Sequence, residues 1–343
     1  MASALTTIPP SARAISRARA DLPLAVGPAI RTTRRAGRPL TTMPANAIWG
    51  TRPLSVLCLI ANPAEPVLEP ALIAAIHAET GGEINWLHRT IACEIIAPKS
   101  TDALSIAREA IGSAPIDAAV VDSENRRKGL LIADMDSTMI NEECIDELAD
   151  ALGLKAEVAA ITERAMNGEL DFAEALATRV SLLTGLERRV IEAVRREKIT
   201  LAPGGRALVQ TMKAYGAYTA LISGGFTFFA DYFAKRIGFD EAVANVLEFD
   251  GETLTGTVAQ PIVDKTTKLR RLEALAIERT LPMARTLAVG DGANDLDMIR
   301  AAGLGVALHA KPSVAAQAQV RIDHGDLTAL LYLQGYEEDE IIR

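Results

Sequence analysis

Three short apolar segments of this 343-residue chain each run directly into a group of polar residues. The segments are residues 129–133 (GLLIA), 217–222 (AYTALI) and 286–289 (TLAV), and the groups that follow them are DMDST, SGGF and GDGAND. Short, uniformly apolar runs are typical of strands in a parallel sheet that is buried on both faces. Because the carboxyl ends of parallel strands meet at one edge, where α/β folds bind ligands, we expect the three groups to lie together. The pattern predicts an α/β fold with a doubly wound parallel sheet.

The first and third groups supply acids. Asp134 and Asp136 are two residues apart, and Asp291 follows the third strand. Taken alone, the Asp-x-Asp pair also fits a solvated acidic turn that caps the next helix. Together with Asp291 it fits a Mg²⁺ site, because Mg²⁺ takes a few carboxylates along with water and phosphate oxygens. One carboxylate can also attack phosphorus while the second transfers the proton of the leaving alcohol.

The second group and a nearby lysine supply ligands for phosphate. Ser223 offers a hydroxyl, Gly224 a backbone amide and Lys268, on a predicted helix, a positive charge. These groups stabilise phosphoryl oxygens. Lys265 is a competing candidate, since it lies on the same face of that helix. The whole set predicts an enzyme of phosphoryl transfer with Mg²⁺ as its cofactor and with Ser223 and Lys268 as catalytic and substrate-binding residues.

These motifs resemble those of the haloacid dehalogenase-like phosphatase superfamily, namely DMDSTMI at 134–140, SGGF at 223–226, Lys268 and GDGANDLDM at 290–298. Within it, NEECIDELA at 141–149 and MNGELDFAEALATRVSLL at 166–183 are similar to the phosphoserine phosphatase family. The resemblance covers about residues 129–330. It implies a Rossmann-like core and hydrolysis of O-phospho-L-serine to L-serine and phosphate, the last step of serine biosynthesis. The reaction would pass through an aspartyl-phosphate.

The resemblance also implies roles for the acids. Asp134 is the nucleophile, and Asp136 is the general acid and base. Mg²⁺ is held by Asp134, by Asp136 through its backbone carbonyl and by Asp291, with Asp295 in support. Asp295 also fits a capping residue for the helix that follows it.

Residues 141–205 are predicted to form a small helical cap over the sheet edge, inserted after the first strand of the core. Such a cap excludes water when it closes. The spacing of apolar residues predicts four helices, at 142–152, 156–166, 172–183 and 187–196.

Phosphoserine carries an ammonium and a carboxylate beside its phosphate, and an acid and an arginine are their natural partners. By resemblance, Glu143 binds the ammonium and Arg179 the carboxylate. Met166 and Phe172 line the pocket, and Asn294 contacts the substrate or its phosphate. On pattern alone, Glu143 also fits a first-turn helix acid, and Met166 and Phe172 also fit core positions.

Residues 52–125 are predicted to form a separate α+β module ahead of the phosphatase domain at 126–343. Strands and helices are predicted in the order β-α-β-β-α-β, with the first helix at 66–79, which is the ferredoxin-like arrangement. The module is similar in fold to the small ACT-like domains that sense ligands on amino-acid enzymes. Binding of serine and formation of a homodimer are both open as its role.

Residues 1–50 form a basic leader. Residues 1–43 contain seven arginines and a single acid, although the whole chain has a net charge of −8. An arginine-rich, acid-poor segment resembles a transit peptide. The alternatives are a disordered tail, or an over-extended start with Met43 as the true initiator. We expect the leader to play no part in the chemistry.

Composition excludes several classes of protein. The body behind the leader is acidic, which disfavours a sequence-independent nucleic-acid binder, and no uncharged apolar run approaches the ~18 residues of a membrane helix. Three widely spaced cysteines form no disulfide framework and suit the cytoplasm. Two rival functions stay open. One is a phosphatase or phosphotransferase for another small phosphomonoester, and the other is a phospho-aspartate receiver or ligand sensor.

Overall fold

The computed structural model describes residues 54–166 and 169–343. The predicted leader at 1–50 and Met43 therefore lie outside the described residues. Within the described ranges, no helix combines the length and the apolar character that crossing a membrane requires.

The front module is a four-stranded antiparallel sheet with two helices on one face. Its elements are β1 (Ser55–Ala61), α1 (Pro70–Thr80), β2 (Glu83–His88), β3 (Ala92–Ile96), α2 (Ala103–Ile111) and β4 (Ile116–Asp122). The strands pair in the order β2-β3-β1-β4. This confirms the predicted ferredoxin-like topology. The first helix begins at Pro70 and not at residue 66, because the residue before a proline is held extended, as Glu69 is here.

Strand β1 is buried on both of its faces. Leu57 and Leu59 pack in one core with the helices of the module. Val56, Cys58 and Ile60 belong instead to the main core of the phosphatase domain. A strand between two cores has no polar face, which explains why this segment reads as one continuous apolar run.

The phosphatase domain is built on a six-stranded sheet and a separate hairpin. Its strands are β5 (Leu130–Ala133), β6 (Tyr218–Phe226), β7 (Glu241–Asn245), β8 (Leu247–Asp250), β9 (Thr253–Val258), β10 (Thr286–Gly290), β11 (Leu304–Leu308) and β12 (Val320–Ile322). Six of them form a fully parallel sheet in the order β12-β11-β10-β5-β6-β7. The three strands predicted from sequence, β5, β6 and β10, lie side by side at its centre.

A cap of four helices is inserted between β5 and the next core helix. The helices are α3 (Cys144–Asp150), α4 (Lys155–Met166), α5 (Phe172–Ser181) and α6 (Arg188–Glu197). Where the chain enters and leaves the cap, Ile140 pairs with Leu201 in an antiparallel bridge. The hairpin of β8 and β9 supports the cap from its side, since Leu254 exchanges backbone hydrogen bonds with Gly185 and Leu186.

Helices cover both faces of the parallel sheet. The core helices are α7 (Gly205–Ala214), α8 (Thr227–Ile237), α9 (Lys265–Glu278), α10 (Leu296–Ala301), α11 (Pro312–Ala315) and α12 (Ala329–Leu333). Apolar residues of α7, α8 and α12 share a core with one face, and those of α9 and α10 share a core with the other. The doubly wound Rossmann-like core predicted from the sequence is thereby confirmed.

The front module is fixed to the phosphatase domain by buried charges. Arg126, in the segment between them, contacts Glu94 of β3 at 2.5 Å and donates to the carbonyl of Leu333 at 2.9 Å. Glu94 is 3% exposed. On β4, the carboxylate of Asp117 accepts backbone N–H groups from the loop at 323–325. These contacts hold β3 and β4 against the larger domain.

We expect Arg126→Met to lower the free energy of unfolding by about 3 kcal/mol or more, because it leaves the buried Glu94 carboxylate without its cation. Urea unfolding monitored by circular dichroism measures the change. Arg189→Met is the matched control, since Arg189 pairs with Glu187 at the surface, and it should leave stability unchanged. A loss for Arg126→Met no larger than that of the control would contradict a stabilising role for the buried pair.

Candidate active site

The three polar groups meet at the carboxyl edge of the parallel sheet. Because β10, β5 and β6 are neighbours, Asp291, Asp134 and Ser223 stand side by side and line one cavity. Strand β6 continues through Ser223 to Phe226, beyond the end expected at residue 222, since Phe226 still pairs with Asn245 of β7. The serine therefore lies within the extended strand, at the irregularity between the paired residues Ile222 and Phe226, and not in a free loop.

Lys268 occupies the centre of the site. Its side chain is completely buried on α9, and its Nζ lies 2.8 Å from Asp134 Oδ1 and 2.6 Å from Asp295 Oδ1. Burial lowers the pKa of this lysine, but the two carboxylates outweigh burial and raise its pKa above the usual range. The ammonium therefore stays charged. Lys265, the competing candidate, is exposed at the start of the same helix.

Three carboxylates converge beside the lysine. Oxygen atoms of Asp134, Asp291 and Asp295 lie within 4.8 Å of one another. Asp295 accepts the backbone N–H of Gly292 at 3.1 Å, and Asp291 accepts the Thr138 hydroxyl at 3.3 Å. Burial and the neighbouring acids raise the pKa of Asp295 to about 7 and that of Asp291 well above its usual range. Burial and mutual repulsion thus both disfavour the charged carboxylates, and a divalent cation would offset this cost.

The donor set fits Mg²⁺. Its members are hard carboxylate oxygens, which Mg²⁺ prefers, and the cluster offers a small number of them. The converging carboxylates are those of Asp134, Asp291 and Asp295. The side chain of Asp136 lines the cavity, and the contribution of its backbone carbonyl stays a prediction.

Asp136 and Glu143 form a second acidic pair in the same cavity. Burial, followed by the charge of Glu143, raises the pKa of Asp136 well above its usual range. Burial also raises the pKa of Glu143 to about 7, against the hydrogen bond that Ser137 donates to it at 2.6 Å. Asp136 Oδ1 is buried and finds no hydrogen-bond partner among the described residues. Asp136 thus keeps an acceptor that the described residues leave unsatisfied, whereas Glu143 is oriented by Ser137.

A glycine shapes the side of the cavity formed by β6. A Cβ on Gly224 would lie 2.8 Å from the Phe172 ring, so the backbone here passes closely beneath the cap. The buried amide of Asn245 fixes this backbone by donating to the Gly224 carbonyl at 2.8 Å. Ser223 Oγ in turn accepts the N–H of Gly225 at 2.8 Å.

The cap contributes a buried arginine. Arg179 on α5 donates from Nε to the Ala175 carbonyl at 3.1 Å and from Nη1 to the Thr162 hydroxyl at 3.1 Å. Thr162 Oγ1 lies 2.8 Å from Asp146 Oδ1. Burial lowers the pKa of Arg179, and the charges of Glu143, Asp146 and Asp136 oppose that effect. The arginine is therefore a desolvated cation that faces a cluster of acids.

Core and cap enclose a common cavity of about 600 Å³, including space open to solvent. The predicted residues on its wall are Asp134, Asp136, Glu143, Phe172, Arg179, Ser223, Gly224, Asp291 and Asn294. Lys268 and Asp295 lie behind this wall and reach it through Asp134. Met166 is the last residue of α4, and its side chain lies outside what the structure describes.

Several residues of the site were not predicted from the sequence. Ser137 and Thr138 directly follow Asp134 and Asp136 in the same motif, and this position could have identified them from the sequence. Thr162, Asp146 and Asn245 were not detectable in this way. They reach the site from separate helices and strands, and each reads alone as an ordinary polar residue.

Comparison with known proteins places this site in a family. Residues 131–300 match the family model of the haloacid dehalogenase-like hydrolases. The phosphoserine phosphatase of Streptomyces coelicolor is 40% identical over 281 residues, which cover 79% of this chain and 68% of that protein.

Two solved structures are similar. A probable phosphoserine phosphatase from Vibrio cholerae, in unliganded form, has a TM-score of 0.66 and 33% identity and covers 83% of this chain and 88% of its own. A phosphoserine phosphatase with a phospho-aspartyl intermediate analogue has a TM-score of 0.58 and 36% identity, covering 62% of this chain and all of its own. With the motifs on adjacent strand ends and these similarities, the chain belongs to the phosphoserine phosphatase family of the haloacid dehalogenase-like hydrolases.

Proposed function

We propose that the protein hydrolyses O-phospho-L-serine to L-serine and phosphate, the last step of serine biosynthesis. One observation carries the proposal. A single cavity joins a site of phosphoryl chemistry on the sheet edge to a buried acid and a buried arginine, Glu143 and Arg179, beneath the cap. The similar phosphoserine phosphatases support the same substrate. The cap weighs against a phospho-aspartate receiver, which needs no enclosed substrate site.

Asp134 is the proposed nucleophile. A carboxylate oxygen of Asp134 attacks phosphorus, the bond from phosphorus to the serine oxygen breaks, and Asp136 donates its proton to that oxygen. Asp136 then takes a proton from a water molecule that attacks the aspartyl-phosphate, which releases phosphate and regenerates Asp134. Lys268, 2.8 Å from Asp134, fixes the nucleophile and offers positive charge to the phosphoryl oxygens.

The remaining phosphoryl contacts fall on the sheet edge. Ser223 offers its hydroxyl, Gly224 its backbone amide and Asn294 its side-chain amide, and all three line the cavity. Groups that are fixed before the substrate arrives stabilise the developing charge without reorganising. The hydrogen bond from Asn245 keeps the backbone of Gly224 in place.

Mg²⁺ is the proposed cofactor. Asp134, Asp291 and the backbone carbonyl of Asp136 would hold it, and Asp295 would orient the set through Lys268 and Gly292. When bound, the ion supplies positive charge that offsets the repulsion among the carboxylates and the phosphate.

Glu143 and Arg179 are the proposed selectivity residues. Glu143 would bind the ammonium of phosphoserine, with its carboxylate oriented by Ser137. Arg179 would bind the substrate carboxylate. Phe172, which covers Gly224, and Met166, at the end of α4, would close the pocket around the three-carbon backbone.

We further propose that the enzyme acts in the cytoplasm, where its three cysteines, all buried and free, would stay reduced. The homodimer through the front module stays a prediction. Sedimentation of the full-length protein tests it.

Asp134→Asn should lower kcat for phosphoserine by about 10⁴-fold or more while substrate binding survives, because the amide keeps the shape of the site but cannot form the acyl phosphate. Asp297→Asn, in the same motif as Asp291 but off the cavity wall, should retain activity. Rapid quench and peptide mass spectrometry of the wild type should find phosphate on Asp134. Phosphate trapped on any other residue would contradict the assignment of Asp134 as the nucleophile.

Arg179→Ala should raise KM for phosphoserine at least about thirtyfold, because a buried charge pair with the substrate carboxylate is lost. KM for p-nitrophenyl phosphate, which has no carboxylate, should change less than about threefold. Arg196→Ala, at an exposed cap arginine, serves as the control for loss of positive charge. Equal effects of Arg179→Ala on the two KM values would contradict a role for this residue in binding the substrate carboxylate.

Removing divalent cations with excess EDTA should lower phosphate release at least about a hundredfold, since the ion is expected to supply several kcal/mol. Added Mg²⁺ should restore the rate, and added Na⁺ at equal ionic strength should not. Full turnover in EDTA would contradict a metal role for the cluster of Asp134, Asp291 and Asp295.

A further inference from the structure

Arg179 is held in place by the protein at two of its three nitrogens. The bond from Nε to the Ala175 carbonyl stays within α5 and fixes the side chain only relative to its own helix. The bond from Nη1 to the Thr162 hydroxyl reaches α4. In the part of the chain that the structure describes, Thr162 is thus the hydrogen-bond partner that ties the guanidinium to a second helix of the cap.

The hydroxyl of Thr162 is itself oriented. A hydroxyl has one hydrogen to donate, and it accepts through its lone pairs. Because Arg179 can only donate, Thr162 accepts from it and gives its own hydrogen to Asp146 Oδ1 at 2.8 Å or to the Val158 carbonyl at 3.0 Å. Thr162 is 3% exposed and lies on the cavity wall. It therefore joins α3, α4 and α5 where the substrate would sit.

We infer that Thr162 is a positioning residue that sets substrate selectivity by holding Arg179 in the orientation that receives the substrate carboxylate. The inference rests on the proposed function and deepens it. Nε is committed to Ala175, so two parallel bonds to a carboxylate are left to the Nη1 and Nη2 end of the guanidinium. The Thr162 hydroxyl fixes the direction in which that end points.

The role differs from that of a binding residue. Thr162 has no donor left for a substrate carboxylate, since its single hydrogen is used by an acceptor within the cap. Losing the hydroxyl leaves Arg179 present and charged but fixed only to its own helix, through Nε. Binding of the carboxylate should weaken, whereas the chemistry at Asp134 should not change.

The test compares two substrates across four variants. Thr162→Val removes the hydroxyl at nearly constant volume and should raise KM for L-phosphoserine about tenfold, the size of one hydrogen bond to a charged group. Its kcat for phosphoserine, and both constants for p-nitrophenyl phosphate, should stay within about twofold. Thr162→Ser restores the hydroxyl and should return KM to within about twofold of the wild type.

Thr178→Val is the matched control. Thr178 is an exposed threonine on α5. Its hydroxyl donates to the carbonyl of the residue four positions earlier, a bond that Thr162 can also make. Unlike Thr162, it does not line the cavity. It should leave all constants unchanged. If Thr162→Val fails to fold in a thermal melt, Thr162→Ala, which adds no new contact, must show the same selective rise in KM.

Two results overturn the inference. One is an unchanged KM for phosphoserine in folded Thr162→Val or Thr162→Ala, and the other is an equal rise for both substrates. Failure of the proposed function looks different. In that case the wild type itself would show no preference for phosphoserine over p-nitrophenyl phosphate.

Discussion

Repulsion among buried carboxylates is the constraint on which the rest of this structure depends. Five acids share one site with two cations. The acids are Asp134, Asp136, Glu143, Asp291 and Asp295, and the cations are Lys268 and Arg179. Lys268 lies between two of the acids at 2.8 and 2.6 Å and is completely buried. The raised pKa values of the acids indicate that the protein does not complete the neutralisation itself. The proposed divalent cation and the ammonium of the proposed substrate would supply the charges that this arrangement lacks.

That balance explains how a chain of net charge −8 can accept an anionic substrate. The sign of the field is set locally, by Lys268, Arg179, backbone amides and the proposed ion, and not by the total charge. The proposed roles of the core and the cap follow their positions in the fold. In the proposed function, the strand ends carry the groups that act on phosphorus, and the cap carries the groups that recognise the rest of the substrate.

The edge of the sheet was predicted well from the sequence, because strands that are buried on both faces consist mainly of apolar residues. Apart from the buried Thr219 and Thr286, strands β5, β6 and β10 are apolar where the sheet covers them, and the polar groups begin near their carboxyl ends. The choice between Lys268 and Lys265 depends on which side chain is buried, and a pattern on one helix face does not contain that information. The start of α1 was misplaced because Pro70 sets the boundary through the conformation of the residue before it.

The cap was predictable as four helices but not as a binding surface. Arg179, Thr162 and Asp146 come from three helices, and their contacts depend on how those helices pack. The same applies to Asn245, which reaches the Gly224 carbonyl from a neighbouring strand. Residues that act on other residues leave no motif of their own, so structure was needed to find them.

The most direct test of the account is kcat/KM for phosphate release from a panel of small phosphomonoesters with Mg²⁺. O-phosphoethanolamine lacks the carboxylate, glycerol 3-phosphate lacks both the carboxylate and the ammonium, and L-phosphoserine has both. We predict that L-phosphoserine exceeds each of the others at least about a hundredfold, because the others leave buried charges of the cap unpaired. Comparable values across the panel would contradict the account.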